Sequence, residues 1–162
     1  MRQLVLMRHA KTEGNNPGGD KARRLIPRGV QDAQEAGLAL RRLGLQHALV
    51  STAARTRETF TALGLDIPAE HLDALYMGGT DTIARLVSEV DDDITGLLVV
   101  GHAPSIPGLA ATLAFRADPG DADDIGAWFP TAAYSLFTLE GSWSDLAEGI
   151  GARHEVTKRP EQ

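Results

Sequence analysis

The strongest constraint on the fold is a set of short, nearly uniform apolar runs spaced about a helix apart. Leu97–Val100 is apolar at every position, and Gln3–Met7 is nearly so. Such runs are too short for helices and lack the alternation of a half-exposed strand, so they read as strands buried on both faces. Ala48–Val50 is another short strand, and Ala133–Leu139 a fourth. Gly29–Leu43 has helical spacing, with Val30, Ala33, Gly37 and Leu40 on one face and Gly44 as a stop. Thr52 offers an N-cap for a helix over Ala53–Leu63, which Gly64 ends. Thr80 and Asp81 open a third helix carrying Ile83, Leu86, Val87 and Val90, and Ser105–Phe115 is a fourth. Leu65–Gly79 reads as a connection and Arg116–Ala127 as a polar loop rich in glycine and aspartate. The end, from about Thr157, is polar and expected to fray.

Strands alternating with helices predict an α/β three-layer sandwich, a mostly parallel central sheet flanked by helices. The 162 residues fit a single domain, with no repeat or linker dividing residues 1–162. The chain has no cysteine, which excludes disulfides, thiolate zinc sites and a cysteine nucleophile. Nothing suggests a metal cluster or a cofactor. Met1–Met7 suits a buried strand better than a signal peptide, and His102, Pro104 and Pro107 interrupt the apolar region Ile94–Phe115. No membrane partner is therefore expected, and a cytoplasmic location is the default.

A formal net charge of −6 weighs against nucleic acid as a partner. Yet Arg8, Lys11, Lys21, Arg23, Arg24 and Arg28 crowd the first third of the chain. A local cationic cluster on an acidic protein points to a focused anion site, with Lys21 and Arg23 read as solvated outliers.

Three strands run directly into reactive residues: the first into Arg8-His9, the second into Ser51-Thr52 with Arg55 close behind, the third into Gly101-His102. In a parallel sheet these segments emerge at one edge, where ligands bind. Two guanidinium groups and two imidazoles converging there suit a tetrahedral anion, because a guanidinium fork matches phosphate oxygens in pairs. Arg57, two residues beyond Arg55, faces elsewhere on its helix. His47, His71 and His154 lie in connecting or terminal segments and read as surface residues.

The run Leu4-Val5-Leu6-Met7-Arg8-His9-Ala10-Lys11-Thr12 resembles the signature of the histidine phosphatase superfamily, the phosphoglycerate mutase-like proteins. Ser51-Thr52-Ala53-Ala54-Arg55-Thr56-Arg57-Glu58-Thr59 looks like the second arginine segment of that family, and Val99-Val100-Gly101-His102-Ala103-Pro104 is similar to its second histidine segment. The short chain, the Arg-His-Ala-Lys form and the segment Arg24–Gly29 resemble the SixA-like branch, the phosphohistidine phosphatases. The resemblance implies a phosphatase in which His9 attacks phosphorus and carries a covalent phosphoryl group, while Arg8, Arg55 and His102 hold its oxygens. It offers Arg24, Lys11 and Asn15, with Asn16, as further substrate contacts, and requires no metal.

Many relatives supply a glutamate as general acid, and alanine stands at the comparable position, Ala74. Asp73 and Tyr76 are the nearest candidate proton donors, and Glu58 is more distant. Without a strong acid, a phosphorus–nitrogen bond is the better-matched substrate, since imidazole leaves far more easily than an alkoxide. The expected partner is thus a phosphorylated protein bearing phosphohistidine. The alternatives are a small phosphate ester or, in a different class, a phosphate-binding module without turnover.

Overall fold

The structure is a computed structural model describing residues 1–148 and 152–161. At its centre, β1 (Arg2–Arg8) lies parallel to β4 (Gly96–Gly101) on one side and antiparallel to β5 (Tyr134–Leu139) on the other. β2 (His47–Ser51) flanks β4, β3 (Ala69–Leu72) forms one edge, and β6 (Ala152–Lys158) forms the other. The order is β3-β2-β4-β1-β5-β6, and β5 alone runs against the rest.

Alternate residues of the central strands bury against different layers, as the period of two requires. Leu4, Leu6, Leu97 and Val99 join the core beneath α4 (Thr80–Ser88), α5 (Ser105–Phe115) and α6 (Pro119–Ala127), with Trp143 from a 3-10 segment. Val5, Met7, Leu98 and Val100 join Ala33, Leu40 and Leu63 beneath α1 (Pro27–Leu40) and α2 (Ala54–Leu63). The result is the three-layer α/β sandwich expected from the alternation of strands and helices. Among the described residues no helix is long and apolar enough to cross a membrane.

Four local expectations are corrected. The connection Leu65–Gly79 contains β3 and a short helix, α3 (Asp73–Met77); β3 is a half-exposed edge strand of four residues and carries no apolar run. Arg116–Ala127 is not a loop over its whole length. Asp118 caps α6 by accepting the Gly120 N–H at 2.8 Å, Pro119 occupies the first turn, and Ala122 and Ile125 bury one face. The polar end is paired through Lys158, with Thr157 opposite Ser135. Thr52 does not cap α2; its hydroxyl donates to Asp73 at 2.6 Å, and Ala53 holds the cap position.

Candidate active site

The register of the sheet assembles the site. Arg8 and Gly101 are direct partners across β1 and β4, and the His9 N–H donates to the Gly101 carbonyl at 2.9 Å. His9 and His102 therefore leave adjacent strands side by side, their ring centroids 5.5 Å apart and tilted by 57°. β2 ends at Ser51, and the first turn of α2 carries Arg55, buried to 7% exposure. Threonine hydroxyls fasten this turn: Thr56 donates to the Ser51 carbonyl at 2.7 Å. Thr59 donates to the Arg55 carbonyl at 2.7 Å and accepts the Ala10 N–H at 2.9 Å. That last bond ties the His9 segment to the Arg55 helix.

His9 is 6% exposed, and its Nδ1 lies 2.8 Å from the Ala10 carbonyl. A carbonyl only accepts, so Nδ1 carries the proton and Nε2 keeps a free lone pair. Burial drives the His9 pKa down to about 3; His102, Arg55 and Arg8 push the same way, against the Ala10 carbonyl. His102 is lowered to about 4 by burial, then by Arg55, with Arg8 adding and Asp20 opposing. Both rings are neutral at pH 7. His9 is thus an uncharged imidazole with a free ring-nitrogen lone pair and a tautomer fixed by the backbone.

Among the described residues, three buried nitrogens in this locus have no partner: Arg8 Nε, Arg55 Nε and His102 Nδ1. Orphaned buried donors are costly unless something is meant to meet them. An anion with several acceptor oxygens would satisfy all three. Arg8 is anchored by its Nη1, which donates to the Phe129 carbonyl at 3.1 Å. Among the described residues no group of three His, Asp or Glu side chains is placed to hold a metal ion.

The remaining candidates differ in their surroundings. Arg24 is not drawn in: its Nε donates to Glu58 at 2.7 Å, and its side chain is 71% exposed. Glu58 also accepts the Leu25 N–H at 2.9 Å, so it braces the loop before α1. Lys11 and Asn15 are exposed, and Asn16 donates to Glu13 at 3.0 Å. Arg57 and His71 are exposed, and His47 pairs with Glu70 at 2.7 Å. Asp73 lies at the rim, where the Thr52 hydroxyl and then Lys21 hold its carboxyl below the usual range. Tyr76 does belong to the cluster. Its ring meets His102 edge-on at 5.7 Å between centroids, and its hydroxyl donates to Asp20 at 2.7 Å.

Two expected surface residues are built in. Arg23 donates to the Thr12 hydroxyl at 2.7 Å, the Glu13 carbonyl at 3.1 Å and Asp20 at 3.1 Å, closing the loop after His9. His154 bridges Asp121 on α6, at 2.9 Å, and Thr157 on its own strand, at 2.8 Å. Asp20 itself was missed by sequence reading. The only available signal was an acid three residues before an arginine, inside an otherwise basic stretch.

A parallel sheet edge bearing a neutral histidine with a free ring nitrogen, beside buried, unsatisfied guanidinium donors, makes an α/β protein with a site suited to a tetrahedral anion such as a phosphoryl group. The model of the histidine phosphatase superfamily (branch 1) matches residues 4–76. An uncharacterised protein of Mycobacterium tuberculosis is 37% identical over 150 residues, spanning 90% of this chain and 95% of its own. A candidate phosphohistidine phosphatase SixA from Nakamurella multipartitia superposes with a TM-score of 0.89 at 36% identity, covering 98% of this chain and 96% of that one. A protein histidine phosphatase SixA complexed with tungstate shares the fold, with a TM-score of 0.77 at 22% identity over 96% and 95% of the two chains. The chain belongs to the histidine phosphatase superfamily.

Proposed function

We propose that this protein is a metal-independent phosphatase that removes the phosphoryl group from phosphohistidine on a protein, through a covalent intermediate on His9. The observation that carries the reading is the His9 ring. Its Nδ1 proton is committed to Ala10, and its free Nε2 stands among donors that lack acceptors. In the first step the Nε2 lone pair attacks phosphorus in line, and the substrate's bond to phosphorus breaks with its electron pair leaving on the departing group. Arg8, Arg55 and His102 donate to the equatorial oxygens as charge redistributes. Water then attacks phospho-His9, releasing inorganic phosphate and the free imidazole.

The substrate class follows from what the rim lacks. Asp73 is held ionised by Thr52 and Lys21, and the Tyr76 hydroxyl proton is already given to Asp20. Neither is a ready acid for an alkoxide, whose conjugate acid has a pKa of about 15.7, as for water. Imidazole, with a conjugate acid near pKa ~6.5, departs without strong assistance. The likeness to the SixA structure of Nakamurella multipartitia supports the same substrate, and tungstate, a tetrahedral oxyanion, is the kind of ligand the orphaned donors would accept.

The test is turnover of a phosphohistidine-bearing protein and a panel of alkyl phosphates by wild type and His9→Ala, with chelator present. Wild type is expected to prefer phosphohistidine and to acquire an acid-labile phosphoryl group that the variant never shows. Faster hydrolysis of the alkyl esters would redirect the reading to a small-molecule phosphatase. Turnover surviving in His9→Ala would remove the covalent route.

A further inference from the structure

Asp20 puts a negative charge at the rim of a site suited to anions. Its backbone carbonyl accepts from Arg55 Nη1 at 2.8 Å. Its Oδ2 accepts from Arg55 Nη2 at 3.2 Å and from the Tyr76 hydroxyl at 2.7 Å, and its Oδ1 accepts from Arg23 at 3.1 Å. Each carboxylate oxygen offers two lone pairs. Oδ2 is therefore full, whereas Oδ1 keeps one open acceptor position on a side chain that is 54% exposed.

These bonds do not block the phosphoryl site. Asp20 takes the two terminal nitrogens of Arg55 and leaves its Nε–H, buried and unpartnered, for an oxygen of the substrate. The carboxylate still repels a bound phosphoryl group, so its place at the rim needs a compensating role. In-line attack supplies one. His9 lies on the floor of the site at 6% exposure, so the group it displaces departs on the opposite side of phosphorus, toward the mouth where Asp20 stands.

We propose that Asp20 is the leaving-group selector of this enzyme: its open Oδ1 position accepts the N–H of the departing imidazole and disfavours leaving groups that bear a carboxylate of their own. The inference rests on the phosphohistidine reading above. In the reacting species the substrate imidazole carries a proton on the nitrogen not bonded to phosphorus, and that N–H donates to Asp20. The His9 Nε2 lone pair forms the new P–N bond. The substrate P–N bond breaks, its electron pair stays on the imidazole, and a neutral imidazole leaves with its proton still in place. No acid is required from the protein, and Asp20 remains a carboxylate throughout. A carboxylate-bearing ester brings no N–H and meets like charge, which costs affinity.

The experiment measures kcat/KM of wild type, Asp20→Asn and Asp20→Glu on three substrates. These are a phosphohistidine peptide, p-nitrophenyl phosphate, which leaves as a phenolate with no N–H to offer, and an alkyl phosphate whose leaving group bears a carboxylate. Because Asp20 also holds Arg55, absolute rates are expected to fall on every substrate, and the readout is the ratio between substrates. Asp20→Asn is expected to lower the peptide-to-aryl ratio about tenfold or more, the scale of a lost charge-assisted hydrogen bond, and to raise the ratio of anionic ester to aryl ester. Asp20→Glu is expected to recover part of the peptide preference. Equal loss on all three substrates would make Asp20 a brace for Arg55 and overturn the selector role while leaving the phosphohistidine reading intact. A wild type that cleaves the aryl ester but not the peptide would overturn both.

Discussion

Ser51 Oγ lies 2.8 Å from Nε2 of His102 and decides which nitrogen of that ring faces the site. The Ala53 N–H approaches the same oxygen at 3.4 Å, which leaves the Ser51 proton for Nε2. Neutral His102 then bears its proton on the buried, unpartnered Nδ1, as its proposed role of donor to phosphate requires. Ser51→Ala frees the ring to rotate and to change tautomer. The expected result is a fall in kcat of about fivefold to tenfold, the value of one ordinary buried hydrogen bond. A kcat equal to wild type in steady-state assays would show that packing alone orients the ring.

The two site histidines also set an acid limit on the fold. Their native pKa values, about 3 and about 4, lie below the ordinary value of 6.5. Between these limits the unfolded chain binds protons that the native chain refuses, so stability is greatest above pH ~6.5 and declines as pH falls toward 4. Urea midpoints measured at pH 7 and pH 5 should drop in wild type. The drop should be smaller in His102→Gln. An equal drop in both would assign the acid sensitivity to other groups.

Gly37 marks where α1 crosses α2. A Cβ there would lie inside van der Waals contact with the backbone carbonyl of Leu63, which cannot rotate away as a side chain could. Gly37→Ala is expected to separate the helices and cost about 1–3 kcal/mol, the range for overpacking. That corresponds to a melting temperature lower by roughly 2–12 °C in a domain of this size. An unchanged melting curve would mean the two helices slide freely.

His154 tests a different part of the molecule. It joins Asp121 of α6 to Thr157 of β6, and its ring packs on Phe137 at 5.4 Å between centroids. His154→Ala leaves the Asp121 bond and the ring contact unmade. Chemical denaturation should show a loss of about 1–3 kcal/mol, with kcat of the folded enzyme intact. A fall in kcat without loss of stability would connect this edge of the sheet to the site.

The parts of the molecule legible in the sequence are those whose signal is local. Leu97–Val100 announces its own burial, and His9 and His102 are found because each follows its strand directly. β3 and β6 are edge strands with polar, half-exposed faces, so neither Ala69–Leu72 nor Ala152–Lys158 carries a core pattern. For α6 a local signal was present, the cap at Asp118 followed by Pro119, but glycine and aspartate outweighed it. Arg24 and Asp20 show the harder limit. Both sit in one irregular segment of β- and 3-10-like geometry, and no period says which side chain turns toward Glu58 and which toward Arg55.

The pairing of Arg8 with Gly101 has a consequence for how this enzyme can change. The gap between the two histidines is set by a ladder of backbone bonds in the innermost strands, so it has the rigidity of the part of the protein last to open. Loops around the mouth can lengthen, shorten or change charge without altering that spacing. Under the proposed mechanism, the distance across which phosphorus is held is then a fixed gauge, whatever the mouth admits.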